Sequence, residues 1–360
     1  MRRRGFLKSI LAATGTSLAA APTVLTAASK KRYRWRLVMA VPKTLPIWGT
    51  GVIAFAKKVK SISEGRLNIR VYGAGELVPA LQTFETVRSG KVQMASSASY
   101  YWLGKIPAAV FFSSVPFGMD ANAMRSWLAY GGGQELWDEL YAPHGILALP
   151  GGNTGMQMGG WFRKEINSIN DFKGLKMRIP GLGGRVIAKL GGKPILMPGG
   201  DIFTNLTTGV IDATEWVGPY HDYIMGFYKA AKYYYSPGWH EPGPSLELMI
   251  NKESFVDLPK ELQDVVTACA AEMDRNMYLE WIAKDAQYLD KIRKETKVTI
   301  KTFPEEVLKA FKKYGAEEQL AIAKTSPLSQ KIYDSYTSYQ RQFQAYQKQN
   351  AWTYIKALDR

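Results

Sequence analysis

The stretch Ile202–Tyr220, "IFTNLTTGVIDATEWVGPY", decides the fold because it has an echo. Phe203, Leu206, Gly209, Ile211 and Asp212 repeat the frame of Phe84, Val87, Gly90, Val92 and Gln93 in "TFETVRSGKVQMASSASYYW", residues 83–102. In both, apolar residues at helical spacing close on a glycine and a short strand begins. Glycine suits the left-handed cap that ends such a helix. Two copies of one helix–strand device suggest two similar α/β lobes. Helix–Gly–strand is also common enough for chance to produce the match.

The neighbouring segments fit that reading. "YRWRLVMAV" (33–41) alternates like a strand, "GVIAFAKKVKSIS" (51–63) carries Val52, Phe55, Val59 and Ile62 at helical spacing, and "RLNIRVYG" (66–73) returns as a strand. Strand, helix and strand with short connections form a parallel βαβ unit. "GMQMGGWF" (155–162) and "LKMRIP" (175–180) read as further strands, "GRVIAKLG" (184–191) as a short helix, and "PSLELMINKESF" (244–255) as a strand passing between lobes. Pro259 and Pro304 mark helix starts. The last helix repeats Ile332, Tyr336, Tyr339, Phe343 and Tyr346, a seam that serves packing on the protein's own lobes or pairing with a second subunit. In open α/β sheets, ligands bind beyond the carboxyl ends of strands. The loops Ser96–Tyr101 and Thr214–Tyr220 both belong there, so facing lobes place Glu215 in a cleft.

The amino terminus, "MRRRGFLKSILAATGTSLAAAPTVLTAASK", pairs Arg3 and Arg4 with a weakly apolar stretch, the pattern of a twin-arginine export signal over residues 1–28. Lys8, Gly15 and Pro22 keep the apolar run short of a membrane span. The expected location is the periplasm. The single cysteine, Cys269, precludes an internal disulfide and lies on the apolar face of a helix. The net charge is +16, and without the four leader positives it stays near +12. The basic residues are scattered and form no nucleic-acid module, so a solvated basic surface is expected and no nucleic-acid partner.

No catalytic signature appears. His144, His221 and His240 lack metal-ligand spacing, and there is no nucleophile elbow or P-loop. What remains is binding equipment. Arg178, at the end of a short strand, either grips a carboxylate through paired hydrogen bonds or is a surface arginine. Gln157, Glu215 and Glu241 are hard oxygen donors, suited to Na⁺ or Ca²⁺ rather than zinc, although each alone is more often a solvated residue.

"GNTGMQMGGWF", "GLKMRIPGLGGRV", "IDATEWVGPY" and "AAKYYYSPGWHEPG" resemble the solute-binding proteins of tripartite ATP-independent periplasmic (TRAP) transporters, in the subgroup for 2-oxo acids and similar monocarboxylates. The resemblance spans essentially the whole mature chain. It implies an α/β, two-lobed periplasmic solute-binding fold of the Venus-flytrap type, with hinge-crossing strands and long C-terminal helices. The implied segments are 29–154 with 243–281 for lobe one, 155–242 with 282–330 for lobe two, and 331–360 for a C-terminal helix.

The same resemblance implies that Arg178 takes the substrate carboxylate. It implies that Gln157, Glu215 and the Trp216 carbonyl hold a cation, Na⁺ or Ca²⁺, that also touches the ligand, with Glu241 a further candidate. Asn153, Tyr100 and Tyr101 would belong to the pocket wall, and Tyr100, Tyr101 and Trp216 would exclude water and limit ligand size. The expected partners are a small monocarboxylate and the TRAP membrane permease subunits, with a homodimer through the C-terminal helix as the alternative to packing of that helix on the protein's own lobes. Arg178→Ala is expected to abolish binding and leave the fold intact. The rival from another class is a periplasmic lyase or hydrolase using Glu215 or Glu241 as general acid, which needs a second titrating group across the cleft.

Overall fold

The computed structural model describes residues 31–358; the expected leader lies outside the described residues. Among the described residues, eleven strands form two sheets. In the first, β1 (Tyr33–Met39) pairs in parallel with β2 (Leu67–Tyr72) and β3 (Met94–Ser97). The helix Trp48–Ile62 joins β1 to β2 and buries Trp48, Val52, Phe55 and Val59, while Ile62 stays exposed. This is the expected βαβ unit. The strand β4 (Ile146–Asn153) completes the first sheet from a distance, through an antiparallel strand that arrives much later in the chain.

The second sheet contains β5 (Gly160–Phe162), β6 (Lys176–Arg178), β7 (Lys193–Ile195), β8 (Ala213–Thr214) and β9 (Tyr233–Ser236). The chain then returns with β10 (Ser245–Asn251) to the first sheet, and β11 (Thr299–Thr302) edges the second. The orders are β2-β1-β3-β10-β4 and β7-β6-β8-β5-β9-β11. Strand for strand, the second repeats the first: two parallel pairings, then two antiparallel ones. The echoed segments end in β3 and β8, which hold the same place in their sheets. Gly90 and Gly209 both adopt the left-handed conformation before them. The protein is thus a two-lobed α/β molecule.

Each sheet borrows its antiparallel strand from the far side of a crossover. The segment between β4 and β5 carries the chain one way, and the segment between β9 and β10 carries it back. Buried along its whole length, β10 carries Leu246, Leu248, Met249 and Ile250 together with the polar Ser245, Glu247 and Asn251. "GMQMGGWF" was expected as one strand, but only Gly160–Phe162 pairs; Gln157 lies in the crossover.

Helix Lys260–Glu295 starts after Pro259 and packs against β4 and the helices Trp48–Ile62 and Pro219–Ile224, with its own Cys269 on the buried face. Helix Glu305–Ala323 starts after Pro304. The helix Pro327–Gln349 buries Ile332 and Tyr336 on the protein's own body, where the Tyr336 hydroxyl accepts from the Met119 amide at 2.8 Å. Its seam runs out at Tyr346, which is exposed. A final helix, Ala351–Leu358, buries none of its residues.

Candidate functional site

The site forms where the two crossovers run side by side beyond the carboxyl ends of β3, β6 and β8. The Gln157 amide donates to the Glu241 carbonyl at 3.3 Å, and the Thr154 amide to the Pro244 carbonyl at 3.3 Å. Gly238 makes this contact possible, since a Cβ there would lie 2.2 Å from the Gln157 carbonyl oxygen. The glycine in "PGWHEPG" is therefore a requirement of backbone approach.

Arg178 ends β6 and faces Thr214 of β8 across a parallel pairing. That register brings Glu215 alongside, with its amide donating to the Arg178 carbonyl at 3.2 Å. Both side chains are buried, about 1% exposed, and Arg178 Nη1 donates to Glu215 Oε1 in an ion pair. Arg178 Nε donates to the Met197 carbonyl at 3.3 Å. Arg178 Nη2 reaches no hydrogen-bond partner among the described residues. The Tyr101 phenol feels this cation: burial raises its pKa and the guanidinium charge partly offsets the rise. The Trp216 indole lies against the guanidinium, with 5.2 Å between Arg178 Cζ and the ring centroid.

On the crossovers, Gln157 Nε2 donates to Glu241 Oε2 at 2.8 Å, while Gln157 Oε1 is buried without a donor. Burial pushes the Glu241 pKa well above the usual carboxylate range, and the nearby Glu215 charge adds to the rise. His240 was missed in the sequence, where its distance from the other histidines concealed it; its adjacency to Glu241 was the available signal. Its Nε2 lies 3.2 Å from Glu215 Oε2. Glu215, His240 and Glu241 each present a donor atom, all within 4.8 Å of one another. With the orphaned Gln157 oxygen beside them, this oxygen-rich set fits a hard cation.

Tyr100 and Tyr101 come from the turn Ser99–Trp102 after β3, their rings edge to face at 4.8 Å. With Gln157, Arg178 and Trp216 they line one nearly closed cavity of about 10 Å³. Trp48, Thr154, Val217, Pro244 and Leu246 complete its wall, none of them anticipated. Asn153 is not brought there. Its Nδ2 donates to the Gly243 carbonyl at 3.1 Å and its Oδ1 accepts from the Gly155 amide at 2.9 Å, so its amide braces the crossovers.

The arrangement has the parts to hold a small anion. It offers a buried guanidinium with one free donor, an unpaired carbonyl oxygen, a carboxylate balanced by that guanidinium, and aromatic walls. Residues 38–324 match the family model described as bacterial extracellular solute-binding protein, family 7. The chain is similar to the monocarboxylate 2-oxoacid-binding periplasmic protein all3028 of Nostoc, at 38% identity over 98% of each chain. It is similar to a TRAP periplasmic solute-binding protein of Colwellia psychrerythraea solved with calcium and pyruvate. The TM-score is 0.88 and the identity 43%, covering 91% of this chain and all of that one. A counterpart from Pseudoalteromonas atlantica, solved with sodium and pyruvate, gives 0.88 and 44%, covering 91% and 99%.

Proposed function

Because the chain belongs to the DctP family of TRAP solute-binding proteins, extracellular solute-binding protein family 7, we propose that it captures a small 2-oxo monocarboxylate such as pyruvate, together with a cation, and delivers it to a membrane permease. One observation supports this most: the buried, unpartnered Arg178 Nη2 and Gln157 Oε1 belong to residues that line the same small cavity. One is a donor on a cation, suited to a carboxylate. The other is a carbonyl oxygen, suited to Na⁺ or Ca²⁺. Leaving both unpaired is costly, and a ligand that satisfies both recovers that cost.

In this reading Arg178 Nη2 donates to the ligand carboxylate while Nη1 keeps Glu215 in place. Gln157, Glu215, the Trp216 carbonyl and Glu241 are the residues that would hold the cation, with His240 orienting Glu215. The cation supplies positive charge that balances the acidic groups and attracts ligand oxygens. Tyr100, Tyr101 and Trp216 exclude water, which strengthens each charge contact. Tyr100 and Tyr101 follow β3 of one sheet, and Arg178 and Trp216 follow β6 and β8 of the other. A ligand touching both sets favours the closed lobes, and the closed form is what the permease reads.

The hinged segments of this proposal are 29–154 with 243–281 and 155–242 with 282–330. Export by the Arg3–Arg4 leader belongs to it too. So does pairing of two copies through residues 331–360, where Trp352, Tyr354, Ile355 and Leu358 are exposed. The test is calorimetry and thermal shift on the mature protein with small carboxylates, each with and without Na⁺ or Ca²⁺. Pyruvate is expected to raise the melting temperature in a cation-dependent way and to be recovered unchanged. No shift with any 2-oxo acid, or conversion of the acid to product, overturns the reading.

A further inference from the structure

Trp216 lines two cavities at once. One is the nearly closed binding cavity that it shares with Arg178 and Gln157. The other is a cavity of about 260 Å³ lined by Pro42, Leu45, Pro46, Ile224 and Met225, with Gly199 at its edge. Trp216 is the one residue common to both linings, and its indole touches a residue of each, Arg178 of the first and Gly199 of the second. That second cavity is mostly apolar: apart from the Trp216 indole, Thr44 is the one polar side chain in its lining, and none is charged.

The wall is held by packing. The benzo edge of the indole lies on Gly199, where a Cβ would come within 2.2 Å of Cη2. The opposing restraint is the Arg178 guanidinium on the ring. The indole Nε1 is buried and makes no hydrogen bond, so no directional contact pins the ring. Tyr100 and Tyr101 back onto another cavity, of about 340 Å³, whose lining of Leu103, Ile179, Pro194 and Leu196 also includes the charged Arg185.

A 2-oxo acid has one end to be gripped by charge and one apolar tail. Resting on the function proposed above, we propose that Trp216, seated on Gly199, is the stop that limits the ligand's tail, and that the apolar cavity behind it is a subsite for the aliphatic tail of longer 2-oxo acids, shut in this chain by the indole. The grip on the carboxylate and the limit on length therefore reside in different groups. Arg178 and Gln157 provide the first, and Trp216 with Gly199 the second.

The experiment measures affinities of wild type, Trp216→Ala, the milder Trp216→Phe and Tyr101→Ala for pyruvate, 2-oxobutanoate, 2-oxopentanoate and 4-methyl-2-oxopentanoate, at fixed Ca²⁺. Wild type is expected to lose about tenfold or more in affinity when the tail outgrows the cavity. Trp216→Ala, and to a lesser degree Trp216→Phe, should shift the ratio of 2-oxopentanoate to pyruvate affinity by at least about tenfold toward the longer acid. Adding Met225→Trp, which fills the second cavity, should cancel that shift. A ratio that moves less than about threefold in a folded Trp216→Phe that still binds pyruvate overturns the gate and leaves the proposed function standing. So does an equal shift in Tyr101→Ala. If wild type binds none of the four acids, the function and the gate fall together.

Discussion

Arg178 and Glu215 neutralise each other out of contact with water, at the ends of two neighbouring parallel strands. The arginine expected to serve only the ligand is also the counter-charge of a buried carboxylate. Removing one member of such a pair costs about 3–5 kcal/mol, because the other is left charged and dry. Arg178→Ala is therefore expected to lose stability by about that amount as well as ligand binding, contrary to the sequence-based expectation of an undisturbed fold. Chemical denaturation checks this. The double change Arg178→Ala with Glu215→Ala should cost less than the sum of the two single changes, and simple additivity would rule out the coupling.

Glu215→Gln keeps the shape and removes the charge. Losing a charge-assisted contact of about 1.5–3 kcal/mol corresponds to roughly 10- to 100-fold in affinity. The variant should bind pyruvate that much more weakly, and its remaining affinity should no longer respond to Ca²⁺ or to a chelator. Calorimetry with and without chelator decides it; an undiminished response to the ion would refute the role given to Glu215.

His240 touches the second oxygen of Glu215 at 3.2 Å. A group that orients a ligating carboxylate typically controls about 10- to 100-fold in metal affinity. His240→Ala should lower Ca²⁺ affinity in that range, and His240→Gln, which can still donate a hydrogen bond, should recover part of it. Equal losses in both variants would indicate a packing role only.

Glu247 lies in β10, its Oε1 accepting from Trp102 Nε1 at 2.6 Å and its Oε2 from the Tyr141 hydroxyl at 3.0 Å. Burial pushes its pKa up to about 8 from the ordinary 4.5. The folded protein thus keeps a proton that the unfolded chain gives up, and stability declines as pH rises through that window. Asp222 and Asp285, both raised by burial to about 7, act in the same direction at lower pH. His221, lowered by burial to about 4, acts oppositely, costing stability as pH falls below 6.5. Between pH 7 and 8 the decline that Glu247 itself causes is about 1 kcal/mol. Glu247→Gln should flatten the change in unfolding free energy over that interval. An unchanged slope in the variant would show that Glu247 is not the group responsible.

Much of this was written locally. The alternation of Trp35, Leu37 and Met39, the spacing of Val52, Phe55 and Val59, and the glycines that close the echoed helices are nearest-neighbour chemistry, and they specified the βαβ unit and the paired lobes. The motif around Arg178 and the Glu215–Trp216 pair identified the family, and the sequence named half of the residues that line the cavity. What folding alone decided is which of those residues remain free. Asn153 is consumed by the Gly155 amide and the Gly243 carbonyl, His240 is delivered to Glu215, Gly199 seats Trp216, and Arg178 spends one arm on Glu215. These outcomes depend on strands and crossovers far apart in the chain meeting at particular registers. A residue's type states which bonds it can make, whereas only its neighbours in space determine which bonds are left for a ligand.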